Sequence, residues 1–278
     1  MKYRLILLLL LVGVLIALQY MNSNRNNFRP VLEPKAMLSI SSDIKNAEAI
    51  LLLQKHDQAT NLTIYGGYEK YLMTIDKNLR DRFYYKVDTR HKVVVLSFDD
   101  GPLAYTKEIM AVLEEKKVSA TFFLLCSSLS KANGNWYNNP LFSVGIHSYN
   151  HKDYRDLSPA ETDAEFSSCI ETFDSFGLET KYFRPPYGVI TKVMVDNLEK
   201  HNLKGILWSL DSGDWDGNSG HALVEKVMDN LHPGSIILFH DGVDPADLSA
   251  IIDGIRALGY QVISLADLLK FPKIILDY

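Results

Sequence analysis

Ser97-Phe98-Asp99-Asp100-Gly101-Pro102 follows the apolar run Val93-Val94-Val95-Leu96 directly. The β-branched run predicts a strand, and Gly-Pro halts it and turns the chain. Two adjacent carboxylates therefore sit at a strand's C-terminal end. Taken alone, an Asp there is most simply a turn former, because its short side chain bonds nearby backbone. The remainder of the chain argues for more.

From Lys92 onward, strand-like and helix-like patterns alternate. Strands are predicted at Val93–Phe98, Ala120–Leu125, Val144–Ile146, Tyr182–Arg184, Gly205–Ser209, Ser235–Phe239 and Gln261–Ser264. Amphipathic helices are predicted near Lys107–Lys116, Pro159–Phe176, Lys192–His201, Ala222–Leu231 and Ala246–Leu258. Such alternation implies parallel strands joined by crossover helices. Seven strands fit an incomplete or distorted barrel, or an open doubly wound sheet. Neither a Gly-x-Gly-x-x-Gly turn nor a Walker loop is present, which weakens nucleotide-binding versions of either.

Ahead of this region, Leu5–Leu18 is uncharged, and Gln19, Tyr20 and Met21 extend it to a length that just crosses about 30 Å of hydrocarbon. Lys2 and Arg4 precede it, no small-x-small cleavage site follows, and no Cys offers a lipidation site. Residues 1–21 are therefore read as a signal-anchor, with the rest of the chain outside the cytoplasm or secreted if the segment is cut. Residues 22–90 read as a polar tether and a small helical stem, with helices expected at Ile44–Lys55 and Tyr68–Leu79. Asn61-Leu62-Thr63 fits the glycosylation acceptor pattern, which has meaning only in a glycosylating host. Residues 91–278 form the expected α/β domain. A net charge of −5 with no long Lys/Arg block offers nothing to nucleic acid phosphates. The two cysteines, Cys126 and Cys169, lack Cys-x-x-Cys spacing and read as two buried or free thiols, with a single bridge as the alternative in an exported chain.

The residues best suited to chemistry fall just after the predicted strands. Asp99 and Asp100 follow the first, His147 and His151 the third, Arg184 and Tyr187 the fourth, Asp211 and Asp214 the fifth, and His240 and Asp241 the sixth. In a parallel α/β barrel these positions share one rim. His147 and His151 stand four apart, a spacing that one helical turn would bring onto one face. With a carboxylate from another strand end they make a two-His, one-Asp set suited to Zn²⁺, with Co²⁺, Ni²⁺, Mn²⁺ or Fe²⁺ as alternatives. Three protein ligands leave a place for water, as in a catalytic site.

These stretches resemble the polysaccharide deacetylase family, the carbohydrate esterases built on the NodB homology domain. Ser97 to Gly101 resembles its first motif, His147 to His151 its second and Arg184-Pro185-Pro186-Tyr187-Gly188 its third. Asp211-Ser212-Gly213-Asp214-Trp215 resembles the fourth and Leu238-Phe239-His240 the fifth. The resemblance runs from about Val93 to Leu269. With it goes the expectation of a distorted seven-stranded (β/α) barrel carrying the stem and anchor.

The resemblance implies Asp99 as catalytic base, and Asp100, His147 and His151 as metal ligands. Arg184 would pair with Asp99 and keep it ionised. Tyr187 would supply a backbone N–H to the oxyanion, Trp215 and Leu238 would line the acetyl pocket, and His240, oriented by Asp214, would protonate the departing amine. Asp211 would assist Asp214 or shape the turn. Lys152 stands where the family commonly has Pro, which would place a positive charge near the substrate. The expected activity is metal-dependent de-N-acetylation of amino sugars in an extracytoplasmic glycan, peptidoglycan first and chitin-like polymers next. O-acetyl esterase activity on xylan-like glycan, or a catalytically silent glycan-binding relative, are the competing expectations.

Overall fold

Nine strands and seven α-helices occupy residues 75–273, the part of the chain that the computed structural model describes. The strands are β1 (Phe83–Tyr84), β2 (Val93–Gly101), β3 (Ala120–Leu124), β4 (Phe142–Ile146), β5 (Tyr182–Phe183), β6 (Lys204–Ile206), β7 (Leu210–Asp211), β8 (Ser235–His240) and β9 (Gln261–Val262). The helices are α1 (Lys77–Arg80), α2 (Thr106–Lys116), α3 (Pro159–Ser175), α4 (Lys192–Lys200), α5 (Gly220–Asp229), α6 (Pro245–Ala257) and α7 (Leu265–Leu268). The expected anchor, the tether, the 44–55 helix and the Asn61 triplet all lie outside the described residues. Among the described residues, no helix is long and apolar enough to cross a membrane.

Every strand pairing in the sheet is parallel, in the order β1-β6-β5-β4-β3-β2-β8-β7, with β9 beside β2. β6 and β7 are separated by only three residues, yet β6 bonds β5 while β7 bonds β8. One stretch, 204–211, thus begins on one end of the sheet and finishes on the other, and curls it into a distorted barrel. The sequence read this stretch as one strand at Gly205–Ser209. The break arises because the backbone changes partners midway, with Leu207 N bonded to Tyr84 O and Ser209 N to Ile236 O. A ninth strand comes from Phe83–Tyr84, inside the stretch read as a stem. Phe83, Tyr85 and Val87 are buried there.

The alternation of β2 separates two apolar layers. Val94, Leu96 and Phe98 pack outward beneath the helices, where Phe98 stacks between Phe122 and Phe239 at ring separations of 5.2 and 5.5 Å. Val93 and Val95 point inward with Phe123, Ile206 and Ile236. The inner layer closes the barrel floor, so polar side chains further along the same faces emerge at its C-terminal rim.

α3 shows why its sequence forms a helix. Ser158 caps it and Glu161 returns the bond in a reciprocal capping box, Pro159 occupies the first turn, and Glu165, Phe166, Cys169 and Phe173 make its buried stripe. Cys169 is joined by a disulfide to Cys126 in the turn after β3. The free-thiol expectation is therefore corrected. A separation of 43 residues says nothing about distance, and the fold seats the turn directly on α3. Replacing both cysteines by Ala is expected to cost about 2–4 kcal/mol, read as a lower urea midpoint with an m-value that rises as the denatured chain loses its cross-link.

Candidate active site

Strand register sets the site. Asp99 on β2 is the direct neighbour of His240 on β8, and Asp241 N bonds Asp99 O at 2.9 Å. His147 N bonds Leu124 O on β3, and Arg184 N bonds Ile146 O on β4, each at 2.9 Å. Asp99, His147, Arg184 and His240 thus lie at one level, at or just past the C-terminal ends of their strands.

Consecutive residues of a regular strand face opposite ways, so Asp99 and Asp100 could not share a site without a fault in β2. The fault is present. The β2–β3 register slips between Asp99 and Gly101, and Asp100 takes φ 71°. Gly101 is required next, because a Cβ there would lie 2.4 Å from Asp241 Oδ2. That carboxylate accepts from Leu103 N at 3.1 Å and from Thr106 Oγ1, pinning the loop that follows the two acids. Burial pushes the Asp241 carboxyl up to about 6 against these bonds.

The two histidines are not on a helical turn, contrary to the reading from their spacing. His147 directly follows β4, and 147–151 is loop, with Ser148 at φ 70° and His151 at φ 57°. Ser148 Oγ accepts from His151 N at 2.7 Å and closes that loop. Their rings meet edge to face with centroids 5.1 Å apart. Of six non-glycine residues with positive φ among the described residues, Asp100, Ser148, His151 and Tyr187 are at this rim; the other two, Lys117 and Asn202, follow helices. Held conformations of this kind cost about 1–3 kcal/mol each and gather at functional sites.

Asp100 Oδ1 lies 3.6 Å from His147 Nε2 and 3.4 Å from His151 Nε2, and it is buried with no hydrogen-bond partner. His147 Nδ1 donates to Arg184 O at 2.8 Å, which leaves the Nε2 lone pair facing the carboxylate. Burial holds the His147 imidazole neutral, its pKa lowered to about 3 although Asp100 opposes this. His151 Nδ1 is 3.2 Å from Tyr187 Oη, which likewise leaves Nε2 inward. One oxygen and two nitrogen donors, all within 4.8 Å of one another, fit a divalent cation. The orphaned buried oxygen and the oriented lone pairs support that fit without any appeal to resemblance.

Beside this triad, Asp99 Oδ1 receives Arg184 Nη1 at 2.7 Å, and Asp99 Oδ2 lies 3.6 Å from His147 Nε2. Arg184 is fully buried. It also donates to Ile206 O and Leu207 O, and its guanidinium lies 4.1 Å from the Phe123 ring centroid. The pairing expected from sequence is present, but its net effect on Asp99 differs: burial raises the carboxyl above its ordinary value, and Arg184 and His240 only oppose that rise. A raised carboxylate is a better proton acceptor than an ordinary one.

His240 Nδ1 is 3.0 Å from Asp214 Oδ1, and Asp214 Oδ2 accepts the His240 backbone N–H at 2.6 Å. Burial alone would lower this imidazole. The Asp214 bond and charge, with Asp99 and Asp100 adding, carry it up to about 9. Ser212, which the sequence reading passed over, donates to Asp214 Oδ1 at 3.0 Å. Asp211 does not bond Asp214. Its Oδ1 accepts from Gly213 N at 2.8 Å and Trp215 Nε1 at 3.3 Å, so it shapes the turn and holds the indole. Leu238 is buried two residues before His240, on the same side of β8 and one layer deeper. Lys152, half exposed beside His151, has its Nζ 3.5 Å from Glu165 Oε1 on α3.

The sequence profile of polysaccharide deacetylases matches residues 86–206. A peptidoglycan-N-acetylglucosamine deacetylase of Bacillus cereus is 30% identical over 192 residues, covering 65% of this chain and 69% of that enzyme. The chain belongs to the polysaccharide deacetylase family. It is a hydrolase by that membership. A chitooligosaccharide deacetylase of Azorhizobium caulinodans is 28% identical over 173 residues, or 58% of this family member and 79% of that protein. Among solved structures, a carbohydrate esterase family 4 pseudoenzyme from Bacillus anthracis superposes with a TM-score of 0.63 at 25% identity, over 69% of this chain and 70% of the other.

Proposed function

We propose that this deacetylase removes the N-acetyl group from amino sugars of an extracytoplasmic glycan, with peptidoglycan N-acetylglucosamine as its substrate. The observation that carries the reading is the orphaned Asp100 Oδ1 facing two oriented imidazole nitrogens, between a buried acid–Arg pair on one side and a raised His–Asp pair on the other. Asp100, His147 and His151 would hold a divalent cation, best Zn²⁺ for this nitrogen and oxygen set. When bound, such an ion acidifies water and polarises the amide carbonyl.

The protein's own groups divide the proton work. Asp99, aimed by Arg184, takes a proton from the attacking water. The backbone N–H of Tyr187, in its left-handed turn, would donate to the oxyanion. His240, protonated through neutral pH by Asp214, delivers a proton to the amide nitrogen as the carbon–nitrogen bond breaks. Water and the N-acetyl sugar thus become acetate and a free amine. Trp215 at the rim and Leu238 below it would enclose the acetyl methyl.

Four of the five large apolar side chains exposed among the described residues, Leu103, Tyr105, Tyr187 and Trp215, belong to loops at this rim. Such a border suits the apolar faces of sugar rings. Tyr105→Ala is expected to raise KM for oligosaccharides several-fold, with kcat nearly unchanged. The disulfide fits an oxidising compartment. The reading therefore puts the barrel outside the cytoplasm, with residues 1–21 as its membrane tether.

Mass spectrometry of peptidoglycan fragments and N-acetylated oligosaccharides treated with the protein tests this. Loss of one acetyl group per sugar, with amine exposed, is expected. Loss of only O-linked acetate from acetylated xylan would reject the amidase reading, and no loss from any glycan would support a silent binding relative.

A further inference from the structure

The loop between His147 and His151 is held from outside by two other segments of the chain. Cys126 N donates to Ser148 O and Ser127 N to Tyr149 O, each at 3.1 Å. From the other side, Glu165 Oε2 on α3 accepts Tyr149 N at 2.8 Å, and Glu165 Oε1 faces Lys152 Nζ. Glu165 is almost fully buried, so its contacts with the loop and Lys152 answer a carboxylate that water does not reach. Cys169 lies one turn further along the same buried stripe of α3, and its disulfide ties that helix to the 126–128 turn. The loop is thereby gripped on both sides by two segments that are covalently joined to each other.

We propose that the Cys126–Cys169 disulfide and Glu165 form a clamp that sets the 147–151 loop, so that the site holds its divalent cation tightly only after the disulfide has closed. The proposal rests on the cation reading of Asp100, His147 and His151. A disulfide oxidant takes two electrons and two protons from the thiols of Cys126 and Cys169, leaves as a dithiol, and the sulfur–sulfur bond forms. With the bond open, the 126–128 turn, which bonds Ser148 O and Tyr149 O, and α3, which bonds Tyr149 N, are no longer tied to each other, and the loop with its left-handed Ser148 and His151 is gripped less firmly. The cation then has to supply the ordering that the clamp supplies in the oxidised chain. Lys152, the residue that departs from the family pattern, belongs to this clamp.

Zinc affinity of the purified full chain, measured by competition with a chromogenic chelator, tests the clamp without using activity. Cys126→Ala with Cys169→Ala opens the bridge without offering thiolates to the metal. This variant and Glu165→Ala are each expected to bind Zn²⁺ about 10- to 100-fold more weakly than wild type. Glu165→Gln, whose amide oxygen still accepts Tyr149 N–H, is expected to recover most of the loss. Ile252→Ala, a core truncation on α6, is expected to lower Tm with affinity unchanged, which separates positioning from general destabilisation. If the cysteine variant does not fold, the Glu165 pair decides. Wild-type affinity in both the cysteine variant and Glu165→Ala overturns the clamp alone. Absence of zinc binding by wild type overturns the cation reading, and the clamp with it.

Discussion

Asp99→Asn is expected to lower kcat by about 10²–10⁴-fold while the protein still binds zinc. Asn is nearly the same shape, and its carbonyl oxygen accepts the Arg184 bond, but it cannot take a proton from water. The metal triad keeps all three of its donors, because Asp99 is not one of Asp100, His147 and His151, whose donor atoms all lie within 4.8 Å of one another. The substitution also leaves Arg184 as a fully buried cation without its anion, and breaking a buried pair costs about 3–5 kcal/mol. Circular dichroism at the assay temperature must therefore accompany the kinetics. Folded, zinc-loaded and slow is the expected phenotype. Turnover at the wild-type rate would remove Asp99 from the role of base.

Asp214→Asn is expected to act through His240, and its signature is a displaced pH profile together with a fall in kcat. His240 is raised above its ordinary value to about 9, so the imidazolium that serves as acid persists through neutral pH and is lost as pH rises through that value. The alkaline limb of kcat/KM is expected to report this group. Removing the Asp214 charge leaves burial, which favours the neutral ring, and the limb moves to lower pH. Because Asp214 also accepts the His240 backbone N–H at 2.6 Å, the ring's placement is disturbed as well. His240→Gln abolishes the acid outright, with an expected loss of about 10²–10⁴-fold. An unchanged alkaline limb in Asp214→Asn would assign that limb to another group.

Much of this site was legible because strand ends are marked in sequence. The β-branched run before Asp99 and the apolar run before His240 gave the strands, and parallel alternation put their ends on one rim. The Asp99–Arg184 and Asp214–His240 pairings were expected from the resemblance and are present as contacts. What sequence could not supply were features that depend on backbone torsion or on three-dimensional distance. The spacing of His147 and His151 looked helical, yet positive φ at Ser148 and His151 builds a loop that brings the imidazoles together by another route. The slip in β2 that turns Asp100 beside Asp99 has no compositional mark beyond the Gly that follows. Cys126 and Cys169 meet because a turn docks on a helix, and no spacing rule contains that fact. Lys152 looked like a charge offered to substrate; its ion pair with the buried Glu165 on the following helix is a contact that no motif records. Likewise the 204–211 stretch divides into two strands because its partners change, which local propensity does not record.

At the centre of the account is one cation held by Asp100, His147 and His151. X-ray absorption at the zinc edge of the loaded protein, in solution, tests it most directly. Two imidazole nitrogens and a carboxylate oxygen at about 2.0–2.2 Å are predicted, with both His147→Ala and His151→Ala losing one nitrogen from the shell. A zinc shell that those substitutions leave unaltered, or a shell containing sulfur, would contradict it.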